Sequence, residues 1–301
     1  MRSFSLTLIT LIAWLPAAAE VEPKQVESPR FIIAGTLENP DLDEASGIQA
    51  GANGVFYLHN DEKRDVFVIN DKGHDLGSFK LDESKNKDWE DITRVLDADG
   101  QLLVIADTGD NLESRKTAGL YFFREPEPGT YTSRHEAVHR LKLRYPGGPR
   151  DVESVAFDPV SQMILLLSKR DNPPRLYGIP LDRALTEKEV EAEFLAEVPG
   201  FRPPTAADLL SNPHRGWWVS QPTGMDISPD GRRAAVITYR SLYLFERIGN
   251  ESWPEAFQRQ PTEYLGPPGL HDEGVGFSAD GRSVYIVTER RPAPLYRLDL
   301  E

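Results

Sequence analysis

Asp88 to Arg115 reads DWEDITRVLDADGQLLVIADTGDNLESR, and the remainder of the chain repeats its plan. Glu90 stands at the head of a short apolar strand that begins with Ile92. A tight turn at Asp99 and Gly100 follows, then a second apolar run, LLVIA, that ends in Asp107, Asp110 and Asn111. Short apolar runs punctuated by Asp-Gly are strand and hairpin chemistry, because Asn, Asp and Gly tolerate the positive φ of tight turns.

The plan recurs when Ser46, Glu90, Glu153, Thr223 and Glu273 are aligned. Two residues on, each is followed by an apolar strand residue: Ile48, Ile92, Val155, Met225 and Val275. The turn texts are GANG, DADG, DPVS, SPDG and SADG, and the second strands are VFYLH, LLVIA, MILLL, AAVIT and VYIVT. A third strand places an aromatic after an aliphatic, at Val66-Phe67, Leu120-Tyr121, Leu176-Tyr177, Leu242-Tyr243 and Leu295-Tyr296. Four units carry a fourth strand, at Leu76 to Leu81, Val138 to Tyr145, Phe194 to Val198 and Glu263 to Leu265. The fifth unit ends without one, and Phe31 to Leu37 from the other end of the chain is the natural replacement.

Five four-stranded units that share one blade between the chain ends describe an all-β fold, a β-propeller closed by its N-terminal strand. A sixth blade would need a degenerate unit hidden between Leu185 and Gly216, whereas each of the five units already has its strands. Helical spacing occurs around Leu185 to Phe194 and near Thr205 to Leu210, so helix content is expected to be low.

Three segments are expected: a signal peptide at 1–19, a polar linker at 20–30, and one propeller domain at 31–301. The first residues combine Arg2, an apolar run from Leu6 to Leu15 and the small residues Ala17, Ala18 and Ala19. This is a bacterial secretory signal, too short for a stable membrane anchor, with cleavage expected after Ala19. The mature protein is therefore expected in the periplasm or outside the cell, without a membrane anchor and as a monomer. There is no Cys, so no disulfide framework supports the fold. The formal charge is −14, and it becomes one unit more negative without Arg2. Such a balance argues against nucleic acid as a partner, since phosphate binding is driven by Lys and Arg.

In a propeller blade the first strand leaves one channel mouth and the second returns to it. Residues before strand one and after strand two of every blade therefore surround that mouth. Glu44, Ser46, Asp88, Glu90, Asp91, Asp151, Glu153, Thr223, His271 and Glu273 come from the first position. His59, Asn60, Asp107, Asp110, Asn111, Lys169, Arg170 and Tyr239 come from the second. Two like charges about 4 Å apart repel by roughly 4 kcal/mol at an effective dielectric of about 20, so such a ring needs a cation or protonation. Oxygen ligands without Cys favour a hard metal, Ca²⁺ before Mg²⁺. The candidate ligands are Glu44, Asn60, Glu90, Asp107, Glu153 and Glu273, and the candidate catalytic groups are Glu90, Glu153, His271 and Glu273.

Structural readings compete with these. Glu90, Glu153 and Glu273 could cap amides of the neighbouring blade, and Asp107 could lock its loop through Arg115. His271 beside Asp272 could form an ion pair, and Trp89 is expected to be a packing wedge. Asp97, Asp99, Asp230 and Asp280 belong to hairpin turns on the opposite face. Nucleophile elbows, Gly-rich phosphate cradles and zinc spacings are absent from the sequence.

EASGI, HND, DWEDI, ADTGDN with Arg115, DVESVAFDP, TGMDISPDG and EGVGFSADG together resemble a group of secreted bacterial β-propeller proteins marked by DWED and DxGDN motifs. That group lies in the neighbourhood of TolB-like, NHL-like and phytase-like propellers. The resemblance implies the fold and the secreted location and carries no assigned activity. Phytase-like and lactonase-like propellers hold calcium with acidic residues at one channel mouth, which is similar in kind to the ring above. This chain lacks the Lys and Arg cluster that a highly phosphorylated substrate would need. Two functions fit: binding of a small-molecule or protein ligand at an acidic, Ca²⁺-holding face, or metal-dependent hydrolysis of a phosphoester, lactone or ester with a ring carboxylate as base.

Overall fold

The turn residues fold the apolar runs into five antiparallel sheets set around a channel. The protein is described by a computed structural model covering residues 24–25, 31–82, 86–131, 134–267, 272–289 and 292–300. The expected signal peptide, most of the linker, and His271 lie outside the described residues.

Blade one runs Ala45–Ala50, Val55–Asn60, Asp65–Asn70, Asp75–Asp82, and blade two Asp91–Asp97, Gly100–Asp107, Ala118–Arg124, His139–Arg144. Blade three is Val152–Asp158, Met163–Ser168, Arg175–Pro180, Glu193–Glu197, and blade four Pro222–Ile227, Arg233–Thr238, Ser241–Glu246, Thr262–Leu265. Blade five is Asp272–Phe277, Ser283–Thr288, Pro294–Asp299, completed by Ile32–Thr36 antiparallel to the last of these. The expected closure by the N-terminal strand is thus what forms, and the count is five.

Second strands pack on both faces, which is why they read as unbroken apolar runs instead of alternating ones. In blade two, Leu102, Val104 and Ala106 join Val155, Leu166 and Tyr177 of blade three. Leu103 and Ile105 join Val66, Val68 and Trp89 on the other side. Five such clusters among the described residues lie between successive blades, so the core is a ring of layers around the channel. Blades five and one meet closely: a Cβ on Gly274 would stand 2.8 Å from the Ser46 carbonyl oxygen, so only glycine fits there.

Two features depart from the sequence reading. Helix forms at Leu181–Thr186, not across Leu185 to Phe194, where Glu189–Glu191 and Glu193–Glu197 are strands. Val190 and Ala192 are buried between exposed glutamates, a period of two, and the strand edge of blade two supplies unpaired backbone groups that outweigh the helix propensity of Glu. Blades one, two and four also gain a short parallel fifth strand, at Arg134–Glu136, Glu189–Glu191 and Lys24–Gln25, which covers their outer edges.

The hairpin aspartates behave as turn residues. Asp230 and Asp280 each accept from a Ser hydroxyl at 2.6 Å and from a backbone N–H at 3.0 and 3.1 Å respectively. Asp97 pairs with Arg124 at 2.6 Å.

Candidate functional site

Four of the five aligned ring residues share one backbone device. Pairing of first and second strands skips Ser46, Glu153, Thr223 and Glu273, because the register shifts between Ala45 and Gly47, Val152 and Ser154, Pro222 and Gly224, and Asp272 and Gly274. Each of these residues is the extra member of a β-bulge, which turns its side chain away from the pleat. Glu90 stands just ahead of its strand, its N–H donating to the Ala106 carbonyl at 2.9 Å.

Glu90, Glu153 and Glu273 line a cavity of about 440 Å³ at this mouth. Oxygens of Glu90, Asp151 and Glu153 lie within 4.8 Å of one another. Asp151 accepts from the Asp110 N–H at 2.8 Å on one oxygen and forms an ion pair with Arg170, Nε to Oδ2 at 2.6 Å, on the other. Glu153 is paired with the Lys169 ammonium. That ammonium also lies 3.3 Å from the Tyr239 hydroxyl, which donates to Glu273 Oε1 at 2.7 Å. A buried chain of carboxylate, ammonium, phenol and carboxylate therefore links blades three, four and five.

Glu90 is different. It is only 7% exposed, and among the described residues nothing donates a hydrogen bond to its carboxylate. Burial first, and then the charges of Glu153 and Asp88, push its pKa well above the usual carboxylate range. Glu90 and Asp88 converge on Gly109, where no side chain would fit: a Cβ there would stand 1.9 Å from Glu90 Oε1 and 2.5 Å from Asp88 Oδ2. An unmatched buried carboxylate with a second carboxylate beside it is what an oxygen-liganded cation needs.

Burial also raises the other members. Glu153 is pushed up to about 7 despite Lys169, and Asp61 to about 7 by burial and by Glu44 and Glu289. Burial works against the charge on Lys169, but Glu153 and Glu273 outweigh it and hold that pKa well above the ordinary lysine value.

The opposite wall comes from the insertion between blades three and four. Thr205 caps the helix Ala206–Ser211 through a capping box with Asp208, and a short turn at Gly216–Ser220 follows. Arg240 fixes this segment to blade four, reaching Asp208 Oδ2 and Ser220 Oγ at 3.0 Å each. Asn212, Arg215 and Trp218 face the cavity from it, with the Arg215 guanidinium 4.9 Å from the Trp218 ring centre. Residues so far from the aligned positions had no repeat to reveal them.

The remaining candidates have other partners. Asp107 pairs with Arg115 at 2.8 Å, so its loop is locked internally. Asn60 donates to the Asp41 carbonyl at 2.7 Å and to Asp43 Oδ1 at 3.0 Å, and accepts from the exposed Glu44's N–H at 3.3 Å. Neither residue lines the cavity. His59 is fully buried, edge-on to Trp89 at 5.7 Å, and its desolvation lowers its pKa to about 4. Trp89, with no exposure, is the expected packing wedge. Asp91 is buried structure: its carboxylate accepts from the N–H groups of Ile92 at 2.9 Å, Val155 at 2.8 Å and Met225 at 3.2 Å.

No protein-family model and no curated protein matches this chain. Among solved structures, the chain is similar to one from a nidogen/laminin complex, at 11% identity and TM-score 0.45, over 81% of this chain and 72% of that one. It is also similar to the hydrazine synthase of Kuenenia stuttgartiensis, at 12% identity and TM-score 0.43, over 85% and 72%. A third is described as a candidate gluconolactonase, at 15% identity and TM-score 0.44, over 88% and 78%. No activity is carried over from these likenesses. Among the described residues no helix is long and apolar enough to cross a membrane.

Proposed function

We propose that this is a secreted bacterial propeller whose channel mouth binds a hard divalent cation, Ca²⁺ first, and with it a small polar ligand or a protein partner. The observation that carries the reading is Glu90, a buried carboxylate without a hydrogen-bond donor among the described residues, beside Asp88 and Gly109 and within 4.8 Å of Glu153 and Asp151 oxygens. Glu90 and Asp88 would hold the ion, with Glu153 and Asp151 adding negative field while remaining paired to Lys169 and Arg170. The excess of carboxylates over cations around the cavity favours a cationic occupant. The signal-like first residues and the resemblance of the DWED and DxGDN motifs support secretion.

A second reading, metal-dependent hydrolysis, draws on the raised proton affinity of Glu90 at the floor of an open cavity. A bound metal would supply Lewis acidity, and Glu90 would accept the proton.

Elemental analysis and thermal melts with chelator and with added Ca²⁺ test the proposal. We expect one ion per chain and a melting temperature that falls on chelation, with Glu90→Gln keeping the fold and losing the response. A metal-free protein whose melting ignores both chelator and Ca²⁺ overturns it. Turnover of an ester, lactone or phosphoester panel that Glu90→Gln abolishes would select the hydrolase.

A further inference from the structure

Lys169 stands where a ring of carboxylates would otherwise gather around a free ion. It rises from the end of the second strand of blade three, and its side chain is 7% exposed. Its ammonium is bonded to Glu153, lies 3.3 Å from the Tyr239 hydroxyl, and stands 5.2 Å from the centre of that ring, a cation–π distance. Tyr239 passes the contact on to Glu273 at 2.7 Å. The groups that contact the ammonium or extend its network come from blades three, four and five, and within it the lysine compensates the charges of Glu153 and Glu273. By contrast Glu90, from blade two, is buried and has no donor among the described residues, and its carboxylate packs with that of Asp88 against Gly109, which has no side chain to separate them.

We infer that Lys169 is a tethered counter-ion that fills one half of the acidic ring, leaving only the Glu90 and Asp88 half to an external cation, and so sets both how many cations the mouth accepts and how tightly. The inference rests on the cation-binding reading for its open half, while its filled half stands on the contacts of Lys169 alone. A cation bound at Glu90 must sit in the field of a fixed ammonium. Removing that charge takes away a repulsion across a few ångströms of low-dielectric interior and releases two glutamates as ligands. Both effects tighten binding.

The test is Ca²⁺ titration by calorimetry of the full mature chain and of Lys169→Met, with thermal melts of both. We expect Lys169→Met to melt lower without Ca²⁺, to bind Ca²⁺ about tenfold tighter or more than the parent, and to recover its melting temperature as Ca²⁺ is added. Lys169→Arg, which keeps the charge, should keep the parent's affinity. Should Lys169→Met fail to fold even with Ca²⁺, Lys169→Gln, which retains a donor for Glu153, carries the same expectation. Tightened binding in the neutral variant with none in the parent supports the tethered counter-ion and removes the divalent-ion proposal for the native site. Binding in the parent with no gain in the neutral variants, or no binding in any, overturns it.

Discussion

Replacing Asp91 tests how the channel is held together. This residue is fully buried, and its two oxygens receive three backbone N–H groups: Ile92 from its own blade, Val155 from blade three and Met225 from blade four. One side chain therefore ties together the innermost strands of three blades. In Asp91→Ala those donors lose their acceptor, and an unsatisfied buried donor costs about 1–3 kcal/mol. Water entering along the channel relieves part of this, so we expect a loss of about 3–5 kcal/mol in all. Asp91→Asn keeps one acceptor oxygen for Val155 and Met225 but turns its amide toward the Ile92 N–H, so its loss should be roughly half that of Ala. The burial that pushes the Asp91 pKa well upward reduces the penalty of a neutral replacement in the same direction. Urea unfolding followed by tryptophan fluorescence at constant pH gives both values. An Asp91→Ala variant within about 1 kcal/mol of the parent, or an Asn variant less stable than Ala, would refute the reasoning.

Stability should fall as pH rises from about 5 to 8 in chelator-containing buffer. Glu153, Asp61 and Asp226 have folded-state values pushed up to about 7 from an ordinary carboxylate value, so the folded state binds more protons in that window. The contribution is complete below the unfolded value and is lost as pH climbs through about 7. A flat or rising melting temperature over that range contradicts it. Gly109→Ala should abolish Ca²⁺ binding, because its Cβ would occupy space 1.9 Å from Glu90 Oε1. Calorimetry showing parent-like binding by a folded Gly109→Ala protein would place the ion elsewhere.

The strands, their hairpins and their order were legible in the residues because those signals are local. Asp-Gly and Asn-Gly turns, aromatic third strands and unbroken apolar second strands each report on a few neighbouring residues, and repetition made them additive. The same alignment found Ser46, Glu90, Glu153, Thr223 and Glu273, since every blade carries its ring residue at an equivalent place. Where the signal was ambiguous, as in LTEKEVEAEF, helix propensity suggested one structure and a neighbouring strand edge produced another. Only the tertiary structure decided which carboxylates stayed open. Asp107 and Arg115 close their own loop, Asn60 holds the turn at Asp43, Lys169 fills the space between Glu153 and Tyr239, and the insertion carrying Arg215 and Trp218 roofs the cavity. The repeat could bring the acidic groups to one mouth. Whether each was paired depended on distances between side chains far apart in the chain, and charge compensation acts through those distances.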